Sequence, residues 1–172
     1  MTEAAKLGGE PYTALVLAAD ATQASKMVDS IESLSPPDGY VSKVRVPELR
    51  GAVELKRGNP GRAPEILAPF AIYDEGWLDI YMFAYVRGEA YLLARRGKEA
   101  AAEFRKVIDH RGIVDSAPYG VRARLEVARA MALEGDTDKA RAAYQDFLTL
   151  WKDADPDIPI LKQAKAEYAK LQ

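Results

Sequence analysis

One spacing constrains this chain before any single residue does. Four short turns recur, each preceded by an apolar stretch and followed by a stretch that opens on alanine. They lie in LVLAADATQA (15–24), VELKRGNPGRA (53–63), YLLARRGKEAAA (91–102) and AMALEGDTDKA (130–140). Aligned on Ala19, Gly58, Gly97 and Gly135, the turns fall 39, 39 and 38 residues apart, and Ala24, Ala63, Ala102 and Ala140 keep the same intervals. A period of this length marks stacked helical hairpins, each burying its apolar faces only against its neighbours. Glycine suits the left-handed backbone that ends a helix. Asp20, Asn59 and Asp136 follow the turn in three of the four places and can cap the next helix. Large apolar residues a turn beyond the alanines, Val28, Leu67, Phe104 and Tyr144, are placed to fill the gaps between hairpins.

Breakers separate the hairpins: Ser35-Pro36-Pro37-Asp38-Gly39, then residues 71–76, then 112–118. Helices are therefore expected near 11–19, 21–34, 45–57, 60–70, 77–96, 98–109, 119–134 and 137–151. A last one is expected near 157–171, where Ile158, Leu161, Ala164, Tyr168 and Leu171 form an apolar stripe. Lys162, Lys165, Glu167 and Lys170 fall on its other face, the pattern of a helix that caps an open stack. Residues 1–10 read as a loose end, and 11–172 as a single domain with repeats at about 11–35, 45–70, 77–110 and 119–151. The first hairpin has too little room for its leading helix, so the natural protein is expected to continue upstream.

The fourth hairpin, through Ala128, Met131, Gly135, Ala140, Tyr144 and Phe147, resembles a tetratricopeptide repeat. The third matches through Gly88, Tyr91, Gly97, Ala100 and Phe104, with its turn shifted two positions against its second helix; the first two match more loosely. Three runs, YVRGEAYL (85–92), AEFRKVIDHRGIV (102–114) and WKDADPDIPILK (151–162), resemble the C-terminal repeat region of large regulatory proteins of soil bacteria. Those regulators include serine/threonine kinases and winged-helix regulators. The resemblance implies an all-α, right-handed helical solenoid of about four hairpins with a C-terminal capping helix. It also implies a module that binds protein or peptide within a larger regulator, and it brings no catalytic residue.

Composition narrows the chemistry. There is no cysteine, which excludes disulfides, thiolate metal sites and cysteine nucleophiles. His110 is the only histidine, and its place at a helix end fits a dipole partner better than a base or a ligand. Asp153-Ala154-Asp155-Pro156-Asp157 lacks the glycine and the terminal glutamate of a calcium loop. Gly88, Gly97 and Gly112 form no phosphate loop, no Gly-x-Ser-x-Gly elbow is present, and Asp74-Glu75 with Asp79 reads as a helix start. No enzyme, metal or cofactor is expected. No apolar run reaches the roughly 18–20 residues that span a bilayer, and the N-terminal MTEAAKLGGEPYT carries no signal-peptide core. The expected location is cytoplasmic by default, or extracytoplasmic if a parent protein is anchored. Formal net charge is −2, divided as −4 over residues 1–86 (8 basic, 12 acidic) and +2 over 87–172 (16 basic, 14 acidic). That balance argues against nucleic acid.

Arginines crowd the second half. In the repeat family the first helix of each hairpin lines the concave face. By that resemblance Tyr81, Tyr85, Glu89 and Leu92 of the third hairpin, and Arg122, Leu125 and Arg129 of the fourth, are the candidate partner-binding residues. Aromatic and arginine side chains make binding hot spots, and arginine grips carboxylates two-handed. An acidic or extended peptide fits such a groove, unless the final helix fills it. Self-association of the parent protein and a small-ligand or enzymatic pocket are the alternatives.

Overall fold

The computed structural model describes residues 19–73, 81–109 and 118–172. The expected first helix up to residue 18, Trp77, the carboxylates Asp74, Glu75 and Asp79, and His110 lie outside them. The described residues are helical throughout their ordered elements and contain no strand. The chain divides into two compact units, 1–75 and 76–172.

In the first unit, α1 (Ala21–Leu34) begins where Asp20 Oδ1 accepts from the Thr22 and Gln23 N–H groups, both at 2.9 Å. A π-type turn, Val41–Arg45, runs directly into α2 (Val46–Lys56). The short α3 (Arg62–Leu67) continues as a 3-10 helix, Ala68–Tyr73. Ala24 and Val28 on α1 meet Val46, Leu49 and Val53 on α2, forming the apolar centre of this unit. Arg50 reaches back from α2 to Asp29 and Glu32 of α1, and Lys56 Nζ donates to the Ala19 carbonyl at 2.9 Å.

The second unit holds α4 (Tyr81–Leu93), α5 (Gly97–Asp109), α6 (Pro118–Leu133), α7 (Thr137–Leu150) and α8 (Pro159–Ala169). Helices neighbouring in sequence pack on one another in turn, and α4 also touches α6. Two apolar clusters result. One joins Ala84 and Tyr85 of α4 to Phe104 and Val107 of α5 and to Ala123, Val127 and Ala130 of α6. The other joins Leu125 and Ala128 of α6 to Tyr144 and Phe147 of α7 and to Leu161 and Ala164 of α8. Aromatic side chains fill these clusters: Phe83, Phe104, Tyr144 and Phe147 are buried, while Tyr91 and Trp151 pack at the edges.

The turns correct the sequence alignment. Positive φ occurs at Gly58 (76°), Arg95 (59°) and Gly135 (76°), and Gly97 is not a turn residue. Each of the three turns closes with the same pair of bonds. The Asn59 N–H donates to Glu54 O and Gly58 to Leu55 O; Arg96 donates to Tyr91 O and Arg95 to Leu92 O; Asp136 donates to Met131 O and Gly135 to Ala132 O. Referred to Gly58, Arg95 and Gly135, which stand 37 and 40 residues apart, the buried alanines are Ala63, Ala100 and Ala140. Ala102, assigned that role from sequence, is exposed. Leu67, Phe104 and Tyr144 then follow at one common offset, and Gly51, Gly88 and Ala128 precede at another.

Gly97 serves a different need. A Cβ there would stand 2.6 Å from the Ala130 carbonyl oxygen and 2.7 Å from Glu134 Cγ, so α5 can approach α6 only with glycine at this place. A Cβ on Gly88 would likewise strike the Phe104 ring at 2.7 Å. The third turn also lacks a capping side chain, since Arg96 stands where Asp20 and Asp136 do. Glu134 at the end of α6 takes over: its Oε1 accepts the Lys98 N–H at 3.2 Å.

Candidate functional site

Helical spacing places Tyr85, Glu89 and Leu92 along one face of α4, and Arg122, Glu126 and Arg129 along one face of α6. The structure brings Tyr85 and Glu89 of the first row together with Arg122 and Glu126 of the second. Burial raises the Tyr85 phenol's pKa most, the negative charges of Glu89 and Glu126 raise it further, and Arg122 opposes them. The Tyr85 ring meets Phe104 edge-on at 5.5 Å, so its body belongs to the core while its polar end joins the cluster. Arg122 is exposed at the rim, and Glu89 and Leu92 are half-buried.

Glu126 is one of three charged residues buried among those described, with Glu48 and Arg87. Burial pushes its carboxyl pKa up, Arg129 and Arg122 pull it down, and Glu167 adds to the rise. Arg87 is committed within its own hairpin, where its Nε and Nη2 grip Glu103 Oε2 at 3.0 and 2.8 Å.

Arg129 sits at the centre of a second set of contacts. Its Nη1 donates to Glu126 at 2.8 Å, while Nε and Nη2 donate to the two carboxylate oxygens of Glu167, each at 2.9 Å. Tyr144 Oη donates to the same Glu167 at 2.9 Å. Burial alone would lower the Arg129 pKa, but the Glu167 hydrogen bonds and the two carboxylate charges hold the guanidinium firmly ionised. Tyr144 is pushed up by burial and by Glu167.

Of the residues singled out from sequence, Tyr85, Glu89 and Arg122 converge. Leu92 packs at the margin of the same helix pair. Leu125 is fully buried between α6, α7 and α8 and presents no surface. Arg129 is already bound by side chains of the chain itself. Of Tyr81 only the backbone, at the start of α4, is described. Sequence reasoning missed Glu126, Tyr144 and Glu167 as polar partners, and placed Glu167 on the outer face of the last helix, whereas it points inward to Arg129. Glu126 was signalled by its spacing, one turn after Arg122 and one before Arg129.

Among the described residues no group of three or more His, Asp or Glu side chains is placed to hold a metal ion, and no helix is long and apolar enough to cross a membrane. What the cluster offers is mixed charge around a buried phenol, the chemistry of recognition by hydrogen bonds and ion pairs. No family model, curated protein or solved structure matches this chain.

Proposed function

We propose that this chain is a non-catalytic protein- or peptide-binding module, its hairpins stacked as a tetratricopeptide-like right-handed solenoid, serving as the sensing or scaffolding part of a larger regulatory protein. The docking face in this reading is the one that α4 and α6 share. The observation that carries it is the gathering of Tyr85, Glu89, Arg122 and Glu126 at one place beside the apolar core. Apolar packing does not require such a group, and burying Glu126 works against folding. A cluster held at that cost is explained by recognition.

The reading is tested by selecting binders from a displayed random-peptide library on the intact chain. Arg122 is the probe, because it is exposed, whereas reversing Arg129 would unseat α8 and confuse binding with folding. Peptides that dock on the proposed face lose at least about tenfold in affinity to Arg122→Glu, the loss of one good ionic contact. They keep their affinity for Arg105→Glu, an exposed position on α5. Equal binding to all three chains refutes the assignment of the face.

A further inference from the structure

The arginine grip on a carboxylate expected for an acidic partner is present in this structure, and the carboxylate belongs to the chain. Glu167 of α8 receives Arg129 two-handed and Tyr144 as a third donor. Around that anchor, α8 sets Leu161 and Ala164 against Leu125, Tyr144 and Phe147. Gln145 Nε2 donates to Tyr168 Oη at 2.7 Å, and Arg141 Nε donates to the Leu171 carbonyl at 2.6 Å. This is the way an amphipathic helix docks in a groove, with apolar anchors a turn apart and one charged side chain fixing its register.

Two features make the seat separable from its occupant. First, α8 meets α7 over a far smaller face than α6 and α7 share, and only Leu161 and Ala164 are fully buried on it. Elements with few buried contacts open at lower cost than the rest of a fold. Second, Arg129 keeps Glu126 at 2.8 Å on its own helix, so departure of Glu167 does not strand an unpaired buried cation. Glu126 would at the same time lose a like-charged neighbour.

We propose that α8 is a displaceable internal ligand, and that the seat formed by Arg129, Tyr144, Leu125 and Phe147 accepts in trans an amphipathic helix with one inward glutamate, of the pattern α8 carries: apolar, small, glutamate, aromatic at the places of Leu161, Ala164, Glu167 and Tyr168. This seat lies on α6 and α7, apart from the face that α4 and α6 share, and goes beyond the docking reading above. An internal ligand lowers apparent affinity by the fraction of time it occupies the seat. Weakening it in cis therefore strengthens binding in trans.

The test uses a fluorescent synthetic peptide of residues 157–172, titrated against the full-length chain and its variants. Glu167→Gln in the chain is expected to tighten binding of the unaltered peptide at least tenfold. The same substitution in the peptide is expected to weaken it by as much. Lys165→Gln in the chain, on the exposed side of α8, should change affinity less than twofold. In the unaltered chain, amide exchange of α8 should proceed by openings more frequent than those of α6. Peptide affinity indifferent to Glu167 in either partner, or exchange of α8 at the rate of α6, overturns the proposal.

Discussion

Arg95 and Gly97 stand two positions apart, and the turn that the sequence spacing gives to Gly97 falls on Arg95. The left-handed conformation falls on Arg95, at φ 59°, where a side chain costs roughly 1–2 kcal/mol over a right-handed one. Gly97, at the start of α5, is needed because the Ala130 carbonyl and Glu134 occupy the space of a Cβ. The two substitutions should therefore have opposite signs. Arg95→Gly relieves the backbone and should raise stability by up to about 1 kcal/mol, less the entropy glycine adds to the unfolded chain. Gly97→Ala forces α5 from α6 and should lower it by about 1–3 kcal/mol, the range for overpacking. Urea denaturation of the two variants checks both signs at once, and a stabilising Gly97→Ala would contradict the close approach. The shift was illegible in sequence because a turn glycine and a contact glycine look alike. Only the position of α6, some thirty residues further on, tells them apart.

At the level of helices, much was readable in advance. Aspartate before an alanine-rich start gave the beginnings of α1 and α7, since a cap acts within a few residues of itself. The apolar stripe of α8 was read correctly, with Leu161 and Ala164 buried. Its polar face was not, because a periodicity argument assigns every charge to solvent, and Glu167 is drawn inward by an arginine 38 positions earlier. The buried Glu126 beside it has a pH signature. Its folded pKa lies above the ordinary carboxylate value, first through burial, despite Arg129 and Arg122. A carboxyl shifted upward contributes stability that is complete below its unfolded pKa and is lost as pH rises through the folded one. Glu126→Gln removes that loss while Arg129 keeps Glu167. The variant should therefore gain in melting temperature over the parent as pH is raised from about 4 towards neutrality, with the gap widest at the upper end. A gap that instead shrinks with rising pH would mean that the Arg129 contact outweighs the cost of burial.

For the molecule as a whole, the chain divides into two compact units, 1–75 and 76–172. The same turn-to-alanine-to-large-residue offsets recur in both, at Gly58, Ala63 and Leu67 and again at Arg95, Ala100 and Phe104, so the hairpin unit was legible even where its period was not. The second unit contains every element of its own two apolar clusters: α4 through α7 close the first, and α6 through α8 close the second. Its polar network is likewise internal, since Arg87, Arg129 and Tyr144 find Glu103, Glu126 and Glu167 between residues 76 and 172. Stability in stacked hairpins is a sum of hairpin and neighbour terms. A piece that keeps all of these contacts should keep most of the stability they confer. Residues 76–172 expressed alone should therefore retain their helicity and unfold in a single transition, by circular dichroism and tryptophan fluorescence alike. Shortening that piece to 76–156, which removes α8 and leaves Leu125, Phe147 and the Arg129 side chain uncovered, should lower the midpoint and broaden the transition. If the longer piece is unfolded in isolation, the contacts that hold this half together must include residues before position 76.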